Sequence, residues 1–393
     1  MIFNTFAYFI LFLVPAAVLF RQVRAAWQPW VCLLFGGAFF VFFSLKQAGG
    51  MAGAACLLIF IWEAIFSRFY KQGSWLCFVG IGQTILFLVL FKYWNFFTGL
   101  VFGAKHNVLF WPGAFLPLGI SFFTFEFIHY AVDRYRGAAP AGTFGEYLSF
   151  ILFFPTMVAG PIKRYQDFLP AVRQPSLAWA ADWEQGVTRI LAGLAKKFVL
   201  ADFLTAFTNH LNRADIALAQ RWVLPWWLLA YGFKIYFDFS AYSDIAIGSA
   251  RLFGISVPEN FDWPYIRVNI SQFWKHWHIS LYRWLVDYIF IPLGGSRCRP
   301  PRVLVNLLLT MLLSGLWHGA GLNFVVWGLW HGVLLAVHRG WSKWRAASRR
   351  PSFGFGEDMF AWAVTFATVN LGWAFFCMDL PTAAFFLKRL FLG

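Results

Sequence analysis

Four of the chain's eight histidines, His276, His278, His318 and His331, fall between Asn269 and Gly332. Imidazole is the side chain that exchanges protons near neutral pH, and inside an apolar segment it is costly unless function or a partner supports it. Three roles compete for such groups. Metal ligation would combine separated histidines with carboxylates, but no His-Glu-x-x-His or comparable spacing is present. A histidine can also be structural, hydrogen-bonded inside a helix bundle. The third role is general base or acid in group transfer to a hydroxyl. There a neutral imidazole in a water-poor cavity removes the alcohol proton as the oxygen attacks a carbonyl. No Gly-x-Ser-x-Gly, P-loop or Gly-x-Gly-x-x-Gly string accompanies these histidines. Serine-elbow hydrolase, ATPase and dinucleotide chemistry therefore lack support.

A second polar group, Asp238-Phe-Ser240-Ala-Tyr242-Ser-Asp244, follows the largely apolar run Trp222–Phe237. Paired carboxylates can do acid/base work or bind a metal. They can equally satisfy helix ends and pair with the nearby Lys234 and Arg251, and both readings stand. On one continuous helix His276 and His278 would point about 200° apart, so only one could face a common site.

The elements that position these residues must be membrane helices. Sixty per cent of the chain is hydrophobic and only 12% is charged, about half the charge of an ordinary soluble protein. Met1–Phe20, Gln72–Phe91, Asn107–Phe125 and Met359–Met378 carry no charge, each near the roughly 20 residues that cross a bilayer. Further spans are expected around Val31–Leu45, Met51–Trp62 and out to His129. Arg173, Asp182 and Glu184 read as surface, Lys196–His210 as an interfacial amphipathic helix, and the segment after Asp379 as too short to span. The net charge of +15 is distributed as short basic clusters between apolar runs, such as Arg297/Arg299/Arg302. That is the pattern of positive-inside loops and not of a nucleic-acid surface. Five scattered cysteines form no C-x-x-C pair and read as small apolar residues. The first apolar run lacks a basic start and a cleavage pattern, and reads as a retained span with its N-terminus outside.

Between Val303 and His338 there is no Asp, Glu, Lys or Arg, and both flanks are basic. This run must leave the cytoplasmic side and return, turning near Gly319–Asn323. Arms of fifteen or sixteen residues reach roughly 23 Å at about 1.5 Å per residue, short of the roughly 30 Å hydrocarbon core. His318 is thus expected at the floor of an outward cavity. The residues alone imply a polytopic membrane protein with a buried histidine site, an enzyme or a transporter.

The sequence also resembles the membrane-bound O-acyltransferase superfamily, in the bacterial branch of alginate O-acetylation and teichoic acid D-alanylation. The resemblance rests on Pro117-Leu-Gly-Ile-Ser-Phe-Phe-Thr-Phe125, Phe154-Pro-Thr-Met-Val-Ala-Gly-Pro-Ile162 and Tyr236-Phe-Asp-Phe-Ser-Ala-Tyr-Ser-Asp244. It continues in Phe273-Trp-Lys-His-Trp-His-Ile-Ser-Leu281, Asp287-Tyr-Ile-Phe-Ile-Pro-Leu-Gly-Gly295 and Gly315-Leu-Trp-His-Gly319, in the family's order. The alginate-type wording fits better. The resemblance implies an all-α polytopic bundle of roughly nine to twelve spans, with short re-entrant or interfacial helices around a central tunnel. One domain, 1–393, would carry a motif-bearing core over about 115–340. His318 matches the family's catalytic histidine and His278 the supporting polar position; His276 is the weaker candidate. Trp317, Trp277, Asn269, Asp287, Ser240 and the Asp238–Asp244 pair would shape the substrate tunnel. Val286 stands where relatives usually carry Arg, and the C-terminus is shorter than in alginate-type proteins by about one span.

The expected activity is acyl transfer, most readily acetyl, with no bound cofactor or metal. The donor would be acetyl-CoA or an acyl-carrier-protein thioester on the cytoplasmic side of a bacterial inner membrane. The acceptor would be an exported polysaccharide, reached through a periplasmic acetyltransferase-type partner. D-alanyl transfer to teichoic acid is the alternative within the class; a transporter or flippase and a non-catalytic scaffold are alternatives outside it.

Overall fold

A computed structural model describes residues 3–48, 50–103, 109–111, 116–348 and 354–392. Among these residues the structure is helical, with one isolated β-bridge between Phe261 and Trp277. The chain divides into two compact units, Met1–Leu194 with Tyr242–Glu259, and Ala195–Ala241 with Asn260–Gly393.

The first unit contains α1 (Gln28–Ala48), α2 (Gly50–Phe66), α3 (Leu76–Leu88), α4 (Ile120–Arg136), α5 (Phe144–Ile151) and α6 (Trp179–Ala195). A π-helical turn, Val89–Tyr93, carries α3 on into Trp94–Phe102. The expected span from Asn107 to His129 begins later. Its helix starts at Ile120, behind Gly119 at φ 74°, a left-handed conformation that glycine adopts without penalty; residues 104–108 and 112–115 lie outside the described set. Aromatic rings fill the interior, with Phe39 against Phe154 at 5.4 Å and Phe3 edge-on to Tyr242 at 4.8 Å. Two buried carboxylates of this unit, Glu126 and Asp182, are ion-paired. Lys163 Nζ donates to Glu126 at 2.5 Å and lies 4.4 Å from the Phe150 ring centre. Asp182, expected at the surface, is instead fully buried, because Arg21 and Arg251 bracket it at 2.8 and 2.9 Å. A buried carboxylate without such partners would be several kcal/mol too costly.

The second unit holds α7 (Leu224–Leu252) up to Ala241, and α8 (Ile270–His276), α9 (Ile279–Leu285), α10 (Pro300–His318), α11 (Leu322–Ala347) and α12 (Phe355–Cys377). The out-and-back pair expected over Val303–His338 is the α10–α11 hairpin, turning at Gly319–Gly321. Both arms carry the string Gly-Leu-Trp-His-Gly, at 315–319 and 328–332. The paired glycines are a packing device. A Cβ at Gly315 would fall 2.2 Å from the Phe324 carbonyl oxygen and 3.0 Å from Gly328 Cα. At Gly328 it would fall 2.4 Å from the Met311 oxygen. Small residues four apart let membrane helices approach backbone to backbone. The core around them is aromatic, with Trp274, Trp277, Trp327 and Trp373 all buried.

Among the described residues four helical segments are long and apolar enough to cross a membrane: Ala25–Leu45, Leu76–Phe102, Pro300–His318 and Phe355–Cys377. Other elements are shorter, less apolar or more charged. The stretch expected to lie at the interface is a π-helical turn, Lys196–Ala201, running into the helix Asp202–Thr208.

Candidate active site

The helix bearing His276 does not continue to His278. Asn269 starts α8, its Oδ1 accepting the Gln272 N–H at 2.9 Å. Trp277 then turns extended and bridges Phe261, and His278 takes φ 45° and ψ 56° before α9 begins. A neighbouring strip clamps the break. The Asp262 N–H donates to the His276 carbonyl at 3.1 Å, and the Ile279 N–H to the Asn260 carbonyl at 2.9 Å. The Asn260 Oδ1 accepts from Ser280 Oγ at 2.6 Å and from the Ser280 N–H at 3.3 Å. Left-handed backbone is uncommon outside glycine, costs of order 1–3 kcal/mol, and persists where surroundings impose it, often at functional sites. The helix breaks between the two histidines, which therefore do not share one.

His278 is buried, its ring 4.7 Å from Phe239 and 6.1 Å from Trp317, and its Nε2 has no hydrogen-bond partner among the described residues. His276 lies nearer the surface, its Nδ1 2.7 Å from the Gln272 carbonyl and its Nε2 3.5 Å from Asp262.

His318 is the last residue of α10, at the tip of the hairpin. Three rings hold its imidazole: Trp317 at 4.6 Å, Phe376 at 4.9 Å and Trp327 at 5.0 Å, all edge-on. The side chain stays half-buried. An imidazole so placed is fixed in orientation yet still reachable, the two conditions that proton abstraction would require. His331, at the same place in the second Gly-Leu-Trp-His-Gly string, has the opposite environment. It is fully buried against Trp274 at 5.0 Å and Trp327 at 4.9 Å. Neither of its ring nitrogens has a hydrogen-bond partner among the described residues.

The other expected tunnel residues scatter. Trp317 sits between His278 and His318, and Trp277 is buried in the aromatic core 5.0 Å from Trp373. Asn269 acts as a helix cap, Asp287 lies half-buried in the π-helical turn Val286–Phe290, and Ser240 Oγ donates to its own helix at the Phe237 carbonyl. Asp238 and Asp244 lie on one helix, α7. Each is ion-paired, but not with the neighbours expected. Asp238 meets Lys197 at 2.9 Å and Asp244 meets Arg189 at 2.6 Å. Lys234 donates to Thr208, and Arg251 is taken by Asp182.

Among the described residues, a smaller and a larger cavity open in the second unit. The smaller, about 110 Å³, lies beside His278 and is walled by Leu281, Leu285, Leu307 and Met311 under Trp274. The larger, about 940 Å³, lies between α11 and α12 and is lined by His338, Trp341, Arg345, Glu357 and Asp358, with Asn269 at its edge.

The sequence profile of the membrane-bound O-acyltransferase family matches residues 142–378, more than half of the chain. The chain belongs to that family. The match takes in the Asp238–Asp244 stretch, the broken helix at His278 and the whole His318 hairpin. A Pseudomonas aeruginosa protein named probable alginate O-acetylase AlgI is 38% identical over 307 residues, 76% of this chain and 56% of the relative. The chain thus spans little more than half the length of that relative. The peptidoglycan O-acetyltransferase of Helicobacter pylori is 33% identical over 391 residues, covering 90% of this chain and 71% of that protein. The teichoic acid D-alanyltransferase of Streptococcus thermophilus is 29% identical over 323 residues, 76% of this chain and 74% of the relative. Within the family frame, sequence reasoning missed Asn260, which fixes the His278 break, and the burial of His331. Asn260 sits in the turn-rich Pro258–Pro264 link, the one signal that could have drawn attention to it.

Proposed function

We propose that this membrane protein is an O-acyltransferase that moves a short acyl group, acetyl, from a cytoplasmic thioester toward an exported polysaccharide or an extracytoplasmic partner protein. The observation that carries the reading is His318, half-buried at the hairpin tip and held edge-on by three rings, in a chain of this family. The imidazole takes the proton of the acceptor hydroxyl. The oxygen attacks the thioester carbonyl carbon, the C–S bond breaks, and the thiolate leaves and is protonated. His278, whose buried Nε2 has no hydrogen-bond partner among the described residues, orients or polarises the carbonyl in this reading. The basic flanks of the hairpin, Arg297/Arg299/Arg302 and Arg339/Lys343/Arg345, put its open ends in the cytoplasm and its turn on the outer side. The same rule puts the N-terminus outside, in a bacterial inner membrane. The donor carries a pantetheine thiol, as acetyl-CoA or an acylated carrier protein.

The test is label transfer from radiolabelled acetyl-CoA and from an acetylated carrier protein to membrane material, wild type against His318→Ala at matched expression. Transfer is expected in the wild type and a loss of at least a hundredfold in the variant. Equal label in both would sink the role of His318.

A further inference from the structure

We propose that the 110 Å³ cavity beside His278 receives the acyl group of the donor and restricts it to a short, uncharged chain; this rests on the acyltransferase reading above. The size argues first. A dry apolar cavity of about 150 Å³ takes up a benzene ring, so a space of about 110 Å³ holds fewer heavy atoms than that. A pantetheine arm has several times as many and must lie elsewhere, whereas a two- to four-carbon acyl group fits.

The lining argues second. Leu281, Leu285, Leu307 and Met311 line the cavity and suit a methyl or methylene end, with the hydroxyl-bearing Ser271, Tyr282 and Thr310 also in the lining. Two of the residues that line the cavity each carry a buried polar atom without a hydrogen-bond partner among the described residues, His278 Nε2 and Trp274 Nε1. An indole N–H is a donor only, and a protonated Nε2 is another. Both can therefore serve one acceptor, and the acyl carbonyl is the acceptor a thioester brings. Leaving such groups unmatched is unfavourable, so their pairing is a ready source of binding energy.

Charge argues third. No Asp, Glu, Lys or Arg lines this cavity. The ammonium of a D-alanyl group would be buried there without a counter-ion, which is costly. The cavity therefore separates acetyl-like donors from D-alanyl donors, a distinction that family membership leaves open. Its position agrees with that use. His278 lines it and also faces Trp317, the neighbour of His318, while Leu307 and Met311 lie three and two turns before His318 on the same face of α10.

The experiment measures initial transfer rates from labelled acetyl-, propionyl-, butyryl-, hexanoyl- and D-alanyl-pantetheine in membranes. It compares wild type with Leu307→Ala, which widens the cavity, and Val286→Phe, which narrows it. Rates are read as ratios to acetyl within each preparation, so expression and partial misfolding cancel. Wild type is expected to use acetyl and propionyl and to reject hexanoyl and D-alanyl. Leu307→Ala should raise the hexanoyl-to-acetyl ratio by about tenfold, and Val286→Phe should lower propionyl-to-acetyl by a similar factor, the scale of a few methylenes in a tight pocket. Unchanged ratios in both variants would overturn the cavity assignment while leaving acyl transfer intact. A wild type that prefers D-alanyl would overturn it as well. No transfer of any acyl group would refute the underlying reading and the cavity with it.

Discussion

The packing of the α10–α11 hairpin makes a quantitative prediction for one added methyl group. In Gly315→Ala the new Cβ would sit 2.2 Å from the Phe324 carbonyl oxygen, and ordinary contact begins near 3.4 Å. That oxygen is backbone and cannot rotate away, so the two helices must separate locally by about 1.2 Å, to reach that 3.4 Å. Gly328→Ala, at 2.4 Å from the Met311 oxygen, forces about 1.0 Å by the same comparison. Overpacking of this kind costs about 1–3 kcal/mol. His318 lies one turn beyond Gly315 and is held 5.0 Å from Trp327 on the opposite arm, so the shift falls on the candidate base. A displacement of about 1 Å at a reacting group can lower a rate by about 100-fold. Gly340 is the control, also within α11 but with nothing within 4 Å of its added Cβ. The assay is thermal unfolding in detergent together with acyl transfer in membranes. Gly315→Ala is expected to melt lower and to lose most transfer, and Gly340→Ala to match wild type. If Gly315→Ala melted like Gly340→Ala and kept its rate within threefold, the account of the hairpin would be wrong.

Two further predictions concern buried polar groups. Glu126→Ala strands the Lys163 ammonium, only 3% exposed, and should cost about 3–5 kcal/mol, while Glu126→Leu with Lys163→Met should recover most of the loss; melting in detergent of the single and double variants decides. Asn260→Ala removes the acceptor 2.6 Å from Ser280 Oγ and should destabilise by about 1–3 kcal/mol. It should also lower transfer by loosening His278; a variant with wild-type melting and transfer would refute the clamp.

The parts of the fold that were legible in the sequence are those governed by local chain physics. A long run without charge between basic flanks must cross and return, and the glycines after His318 place the turn, which is where α10 gives way to α11. The aromatic setting of His318 follows, since Trp317 and Trp327 lie within ten residues of it. Long-range pairings were not legible. Sequence proximity nominates Lys234 for Asp238, being one helical turn away, yet Lys197 takes it from 41 residues upstream. Asp182 sits in a polar stretch that reads as exposed, and only folding brings Arg21 from 161 residues away to bury it. The break at His278 is hidden for the same reason. Nothing in Phe273–Leu281 ends a helix by itself, and the competing hydrogen bonds come from Asn260 and Asp262.

The repeated Gly-Leu-Trp-His-Gly strings also bear on how the protein is made. Their contacts join segments only about a dozen residues apart, so closing them carries a small entropic penalty compared with most other pairings in the chain. The two arms can therefore pair as soon as both have entered the bilayer, before α12 is synthesised. On that ordering the candidate base is set in its turn early, and later helices assemble around a hairpin already in place. Trp373 and Phe376, contributed by α12, would then arrive after the hairpin and complete the aromatic wall, which makes loss of α12 more harmful to the site than to the hairpin itself.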